Sequence, residues 1–200
     1  RHASSANAGG VRRLGRALPE IPLAVAALEQ WHNIEELVAD DCGFKESVQI
    51  KVAENQVELM ALEQRSQNLR NAGFIHEEII DARKLFTLLP QVAPHCVGGM
   101  LVRGDGHADP FVTVQAFYRK ALSLGVQILE HTPVTQITRQ RNNWMITADS
   151  QLVEAPYFIN AAGAWGGMIA KMMGDVVPIE AKGLMLIITE RIKPFLTGGV

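Results

Sequence analysis

The run Tyr157-Phe158-Ile159-Asn160-Ala161-Ala162-Gly163-Ala164-Trp165-Gly166-Gly167 constrains the fold more than any other part of the chain. A compact apolar strand leads into a tight turn of small residues and then into a helix carrying Lys171 to Met173. That arrangement aims helix N-terminal N–H groups at whatever fills the turn, and it suits a pyrophosphate or the edge of a planar cofactor ring. Small side chains permit the contact, whereas a bulky one would block it. An ordinary strand-turn-helix corner has the same spacing, so the run by itself leaves both a cofactor cradle and a structural corner open.

The rest of the chain interleaves helices and strands. Leu23, Ala27, Trp31, Ile34 and Val38 recur at helical spacing behind Pro19, which predicts one long amphipathic helix to about Ala39, closed by Gly43. Val48, Ile50 and Val52 alternate with polar residues as a half-buried strand, and a helix over 55–71 ends near Gly73. A strand near Ile79, a helical turn stopped by Pro90 and a strand over 100–102 follow. Gly104 to Pro110 reads as a polar loop, with Asp109 capping a helix that opens on Pro110 and stops at Gly125. Strands at 126–129 and 134–139, a turn at Asn142-Asn143, and strands at 144–148 and 151–154 form a meander. Leu184 to Thr189 is a continuous apolar run suited to a buried strand. The class is therefore mixed, α/β with α+β character.

Composition excludes several partners. Nineteen Lys and Arg against 21 Asp and Glu leave a net charge of −2, so no global basic field exists to hold a nucleic acid or an anionic membrane. The apolar runs are shorter than the roughly 20 residues a spanning helix needs, so no transmembrane segment is expected. Cys42 and Cys96 stand far apart, in neither a C-x-x-C pair nor a zinc spacing, and read as free thiols of a reducing, cytoplasmic setting. No Ser-His-Asp order, H-E-x-x-H or G-x-x-x-x-G-K-[ST] occurs, which leaves hydrolytic and nucleoside-triphosphate chemistry without a carrier.

Two further stretches carry candidate chemistry. Ala3 to Val11 holds Ser4, Ser5, Asn7, Ala8, Gly9 and Gly10, a set of hydroxyl, amide and backbone donors able to line phosphates or a polar ring. A flexible surface turn has the same composition. Arg12, Arg13 and Arg16 follow, and each could hold a carboxylate by bidentate hydrogen bonds or belong to a solvated basic face. His107 sits in the polar loop, where a cleft residue and a structural one read alike.

Taken in order, Ala3 to Arg12, Asp105 to Pro110, Gly125 to Val134 and Ile159 to Trp165 resemble the D-amino-acid oxidase superfamily, the FAD-dependent flavoproteins that include glycine oxidase and sarcosine oxidase. The resemblance spans nearly the whole chain. It implies part of an FAD-binding, Rossmann-like domain, residues 1–42 and 105–176, interleaved with part of a mixed-sheet substrate domain, residues 43–104 and 177–200. It also implies roles. Ser4 and Ser5 would meet the FAD phosphates, Asn7 to Gly10 the isoalloxazine and Val134 the adenine through its backbone. Ala161, Ala162, Gly163 and Trp165 would form a second phosphate-facing turn. Arg13 would bind the substrate carboxylate and His107 make a polar contact. Leu184 stands where the family commonly has Gln.

The implied reaction is oxidation of the C–N bond of a small amine or amino acid, with hydride passing to the flavin and electrons then to oxygen or another acceptor. The alternative is a non-catalytic fragment or interaction subunit that keeps the fold without flavin. The chain opens at Arg1, its first methionine is Met60, and the family's leading G-x-G-x-x-G unit has no counterpart before Ser4. The expectation is thus an internal fragment of a flavoenzyme, holding FAD poorly alone and self-associating or docking to a partner subunit.

Overall fold

The computed structural model describes residues 3–183 and 190. The contacts divide into two compact units, the first running to Val126 and the second beginning at Gln127. The expected strand over 184–189 lies outside the described residues.

In the first unit the chain passes through a short 3-10 turn, Ala3–Ser5, into β1 (Gly10–Val11), then α1 (Ile21–His32), α2 (Ile34–Val38) and β2 (Lys45–Ala53). It continues through α3 (Gln56–Asn71), β3 (Glu78–Asp81), α4 (Ala82–Leu88), β4 (Gly98–His107) and α5 (Pro110–Ser123). β4 organises the sheet. β2 pairs antiparallel along one edge from Lys45↔His107 to Ala53↔Gly98, while the other edge is shared by β1 at 106–107 and β3 at 98–101. Side chains alternate across β4, so Met100 and Val102 pack with Leu14, Leu59 and Leu62, and Leu101 packs on the opposite face with Ile50, Ile80, Leu85 and Leu89. Each such fully buried aliphatic chain contributes about 1.5–3 kcal/mol relative to exposure.

Helix ends follow the sequence closely. Asn55 Oδ1 accepts the Glu58 N–H at 3.0 Å while the Glu58 carboxylate accepts the Glu54 N–H at 2.9 Å, a reciprocal cap. Asp109 Oδ1 caps α5 by accepting from Phe111 and Val112. The long helix expected over 19–39 is instead a 3-10 turn followed by α1 and α2. Asn33 breaks it by leaving the helical region and donating its side-chain amide to the Glu29 carbonyl.

The second unit contains β5 (Val134–Gln140), β6 (Asn143–Ala148), β7 (Gln151–Ala155) and α6 (Gly166–Met172). The three strands form an antiparallel meander in sequence order. Its first turn falls at Arg141-Asn142, one residue earlier than expected, with Arg141 at φ 54°. The mixed class expected from the sequence is what the structure shows.

Three segments differ from expectation. Gly104 to His107 is strand, not loop: a Cβ at Gly106 would lie 2.5 Å from the Lys45 carbonyl oxygen, so its glycine serves close strand packing. Residues 126–129 and 157–159 form no strand. Both are mostly apolar yet largely exposed, with Tyr157 at 86% and Ile159 at 84% while Phe158 is half-buried against Trp144, and neither pairs with a strand among the described residues.

Candidate functional site

The Ala3 to Gly10 turn is built by its own asparagine. Asn7 Nδ2 donates to the carbonyls of Ala3 and Ser4 at 3.0 and 3.1 Å, and its Oδ1 accepts the Gly9 N–H at 2.8 Å. The side chain predicted to face a cofactor therefore closes the turn. Gly9 is buried at φ +70°, and Ala108 donates its N–H to the Gly9 carbonyl at 2.9 Å. Ser4, Asn7, Gly9 and Gly10 come together with Ala108 and Thr113 around a cavity of about 130 Å³. That space suits a phosphate-sized group rather than a whole dinucleotide. Ser4 and Gly10 are exposed at its margin, Ala8 is exposed, and Ser5 is half-buried.

Arg13 is engaged inside the protein. Its Nε donates to Asp105 Oδ1 at 2.9 Å and its Nη2 to the Arg103 carbonyl at 2.5 Å, while its main-chain N–H donates to Asp105 Oδ2 at 2.9 Å. Arg12 and Arg16 are exposed and border a groove of about 360 Å³ whose other wall is α1, through Leu23, Leu28 and Trp31. His107 is exposed at the end of β4, paired across to Gly10 and Lys45.

The remaining candidates belong to the second unit. Asn160 staples the 160–166 turn: its Oδ1 accepts the Ala162 N–H at 3.2 Å and its Nδ2 donates to the Gly166 carbonyl at 2.9 Å. Gly163 adopts φ +55°, and a Cβ there would meet no atom within 4 Å. Ala161 is exposed, Ala162 half-buried, and Trp165 is 51% exposed. Gly166 packs against Ile179, where a Cβ would come within 3.0 Å of Cδ1. Val134, half-buried, opens β5.

Two titratable groups are displaced from their ordinary range. Burial pushes the Cys42 thiol up, with Asp40 and Asp41 adding to the effect against a hydrogen bond from Thr113. Burial pushes His76 down, although the neighbouring Glu77 and Asp105 carboxylates partly oppose it. Among the described residues no cluster of His, Cys, Asp or Glu could hold a metal ion, and no helix is long and apolar enough to cross a membrane.

Sequence reasoning missed Asp105, Glu77 and Arg65 as fixtures of this region. Asp105 stood in a quoted motif, but nothing local shows that a carboxylate so placed is wholly buried against residues 13 and 14.

The sequence matches the family described as FAD dependent oxidoreductase over residues 1–198, and the chain belongs to that family, whose cofactor is FAD. Glycine oxidase of Bacillus licheniformis is 31% identical over 97 residues, covering 48% of this chain and 26% of that protein. Mitochondrial sarcosine dehydrogenase of Mus musculus is 25% identical over 168 residues, covering 80% of this chain and 18% of that protein. Among solved structures, glycine oxidase from Geobacillus kaustophilus superposes with a TM-score of 0.76 at 23% identity, over 86% of this chain and 48% of that one. The chain thus spans less than half the length of these relatives.

One feature of the 160–166 turn is compatible with such a cofactor, although the left-handed Gly73, Gly125 and Gly174 also have nothing within 4 Å of a Cβ among the described residues. Gly163 holds a left-handed conformation next to open space, which leaves room for a ligand to approach the backbone.

Proposed function

We propose that this chain contributes the cofactor- and substrate-facing parts of an FAD-dependent enzyme that oxidises the C–N bond of an amine or amino acid. The observation that carries the reading is the contrast between two glycines. Gly9 is required by the Ala108 carbonyl beside it, whereas Gly163 faces nothing within 4 Å among the described residues and so leaves room for an approaching group. FAD, when bound, supplies the redox chemistry by accepting the hydride from the carbon next to nitrogen.

The protein's part is to bind, orient and exclude water. Ser4 and Ser5 offer hydroxyls to phosphate oxygens, and Ala8 to Gly10 offer a backbone that a flavin ring can approach, with Asn7 fixing their conformation from within. Ala161, Ala162, Gly163 and Trp165 form the second phosphate-facing turn, and Val134 offers its backbone to the adenine. The cation for a substrate carboxylate comes from the segment holding Arg12, Arg13 and Arg16, and His107 adds a polar contact. Residues 1–42 and 105–176 serve the FAD lobe, and 43–104 and 177–200 the substrate lobe. Support for the latter comes from β2 and β3, which join β4 in a sheet covered by α3 on one face and α4 on the other.

The test is made on the full-length gene product, in which a flavin absorption spectrum bleached anaerobically by members of a panel of amines and amino acids is the expected result, whereas the 200-residue chain alone is expected to hold FAD poorly. A colourless full-length protein that takes up no FAD on titration supports the flavin-free interaction subunit instead and overturns this reading.

A further inference from the structure

One edge of β4 carries β1 at 106–107 and β3 at 98–101, and between them the main chain of residues 13–16 is secured by side chains rather than by a strand ladder. Asp105, wholly buried, accepts the N–H groups of Arg13 and Leu14 on Oδ2, at 2.9 and 3.0 Å, and Arg13 Nε on Oδ1. Glu77, 2% exposed, accepts the N–H of Gly15 at 3.0 Å and both Nε and Nη2 of Arg65 at 2.8 Å. Arg65 Nη2 also donates to the Arg16 carbonyl at 2.7 Å. Three successive main-chain N–H groups and one carbonyl are thus held by charged side chains from β4, from the residue before β3 and from α3.

A buried carboxylate is disfavoured unless donors surround it, and an apolar anchor would hold a loop without that cost. What the carboxylates add is direction. The residues they fix, 13 to 15, are flanked by Arg12 and Arg16, the two arginines that border the groove facing Trp31. Arg12 is steadied further by donating Nη1 to the Leu14 carbonyl at 3.0 Å.

We propose that Asp105 and Glu77 are positioning residues, which orient the 13–15 backbone so that the guanidinium groups of Arg12 and Arg16 stand together at the groove beside Trp31. The inference deepens the functional reading and rests on its treatment of these arginines as the chain's anion-facing cations. It does not depend on bound flavin.

Trp31 is the reporter. In the 200-residue chain carrying Trp144→Phe and Trp165→Phe, quenching of the remaining tryptophan by iodide is divided by quenching with neutral acrylamide, at low ionic strength. A general loosening of the fold moves both quenchers together, whereas loss of the cations moves iodide alone. Replacing both Arg12→Gln and Arg16→Gln is expected to lower the ratio roughly two- to fourfold, the enrichment two nearby unit charges give a monovalent anion. Asp105→Asn and Glu77→Gln, each with native circular dichroism, are each expected to lower it about twofold. If Asp105→Asn does not fold, Glu77→Gln carries the test. A ratio unchanged in the folded carboxylate variants, while the double arginine variant lowers it, overturns the positioning role and leaves the cation assignment standing. A ratio unmoved by the arginines overturns both. FAD retention by the full-length protein with its tryptophans intact separately reports the flavin reading.

Discussion

Ala108 donates its N–H to the Gly9 carbonyl at 2.9 Å, and the Ala108 carbonyl oxygen lies 2.1 Å from where a Gly9 Cβ would stand. The two residues join the first turn of the chain to the end of β4 with no room for a side chain. Neither backbone can retreat without breaking the β1 pairing beside it. Gly9→Ala is therefore expected to cost about 3 kcal/mol, left-handed strain plus overpacking, and to lower the thermal midpoint accordingly. A midpoint within a degree or so of wild type would show that the turn yields easily.

Gly163 makes the opposite case. Its surroundings are open, so Gly163→Val costs only the conformational penalty at φ +55°, about 1–2 kcal/mol. If the turn faces FAD, that substitution should reduce flavin retention in the holoprotein far more than it reduces stability. Flavin content per protein, measured beside the melting curve, separates the two effects. Unchanged retention would mean that the turn is a structural corner.

His76 gives a pH prediction. Its folded pKa lies below the ordinary 6.5, so the unfolded chain binds this proton more readily than the folded one. The contribution of neutral His76 is complete above that value and shrinks as pH falls towards the folded pKa. Urea midpoints taken from about pH 7.5 down to about pH 5.5 should decline less in His76→Gln than in wild type. Parallel curves would place the acid sensitivity elsewhere.

Cys42 should be inert. It is fully buried, its Sγ lies 3.7 Å from the Asp40 carbonyl as a donor, and its raised pKa leaves little thiolate at neutral pH. Cys96 is buried as well. Ellman's reagent is expected to leave both thiols of the native protein unlabelled over minutes and to label both in denaturant. Rapid labelling of the native chain would reveal a local opening around Cys42.

The cap on α3 offers a measure of local against tertiary stability. Asn55→Ala removes the acceptor for the Glu58 N–H and its partner bond to the Glu58 carboxylate, which should cost about 1 kcal/mol. Hydrogen exchange in the first turn of α3 should accelerate while exchange in β4 keeps its rank. Equal acceleration in both would mean that α3 and the sheet open as one body.

Elements bounded by local chemistry were legible in the sequence. Asp109-Pro110, Asn55 and Gly73 mark helix ends through contacts within a few residues, and they stand where expected. What depends on distant partners was not legible. Gly104-Asp105-Gly106 has a loop's composition, yet its second glycine is needed for strand contact and its aspartate pairs with a residue 92 positions away. Apolar Val126 to Leu129 and Tyr157 to Ile159 read as strands because alternation and β-propensity carry no information about whether a partner strand exists. The small-residue turns were visible for the same reason the caps were. Their glycines reflect backbone geometry within the turn, although only coordinates distinguish Gly9, crowded by protein, from Gly163, facing open space.

β4 is the strand to which β1, β2 and β3 all bond, and it is the last of the four to be synthesised. Until β4 leaves the ribosome, the 9-residue β2 lacks the one strand it bonds to among the described residues, and the turn carrying Gly9 lacks the backbone at 106–108 on which it closes. Such long-range pairing delays folding and leaves apolar strands open to misassociation in the nascent chain. Translation therefore exposes a vulnerable interval that ends abruptly with a single strand, and a cell expressing this protein would rely on chaperones most while residues 45–107 are being synthesised.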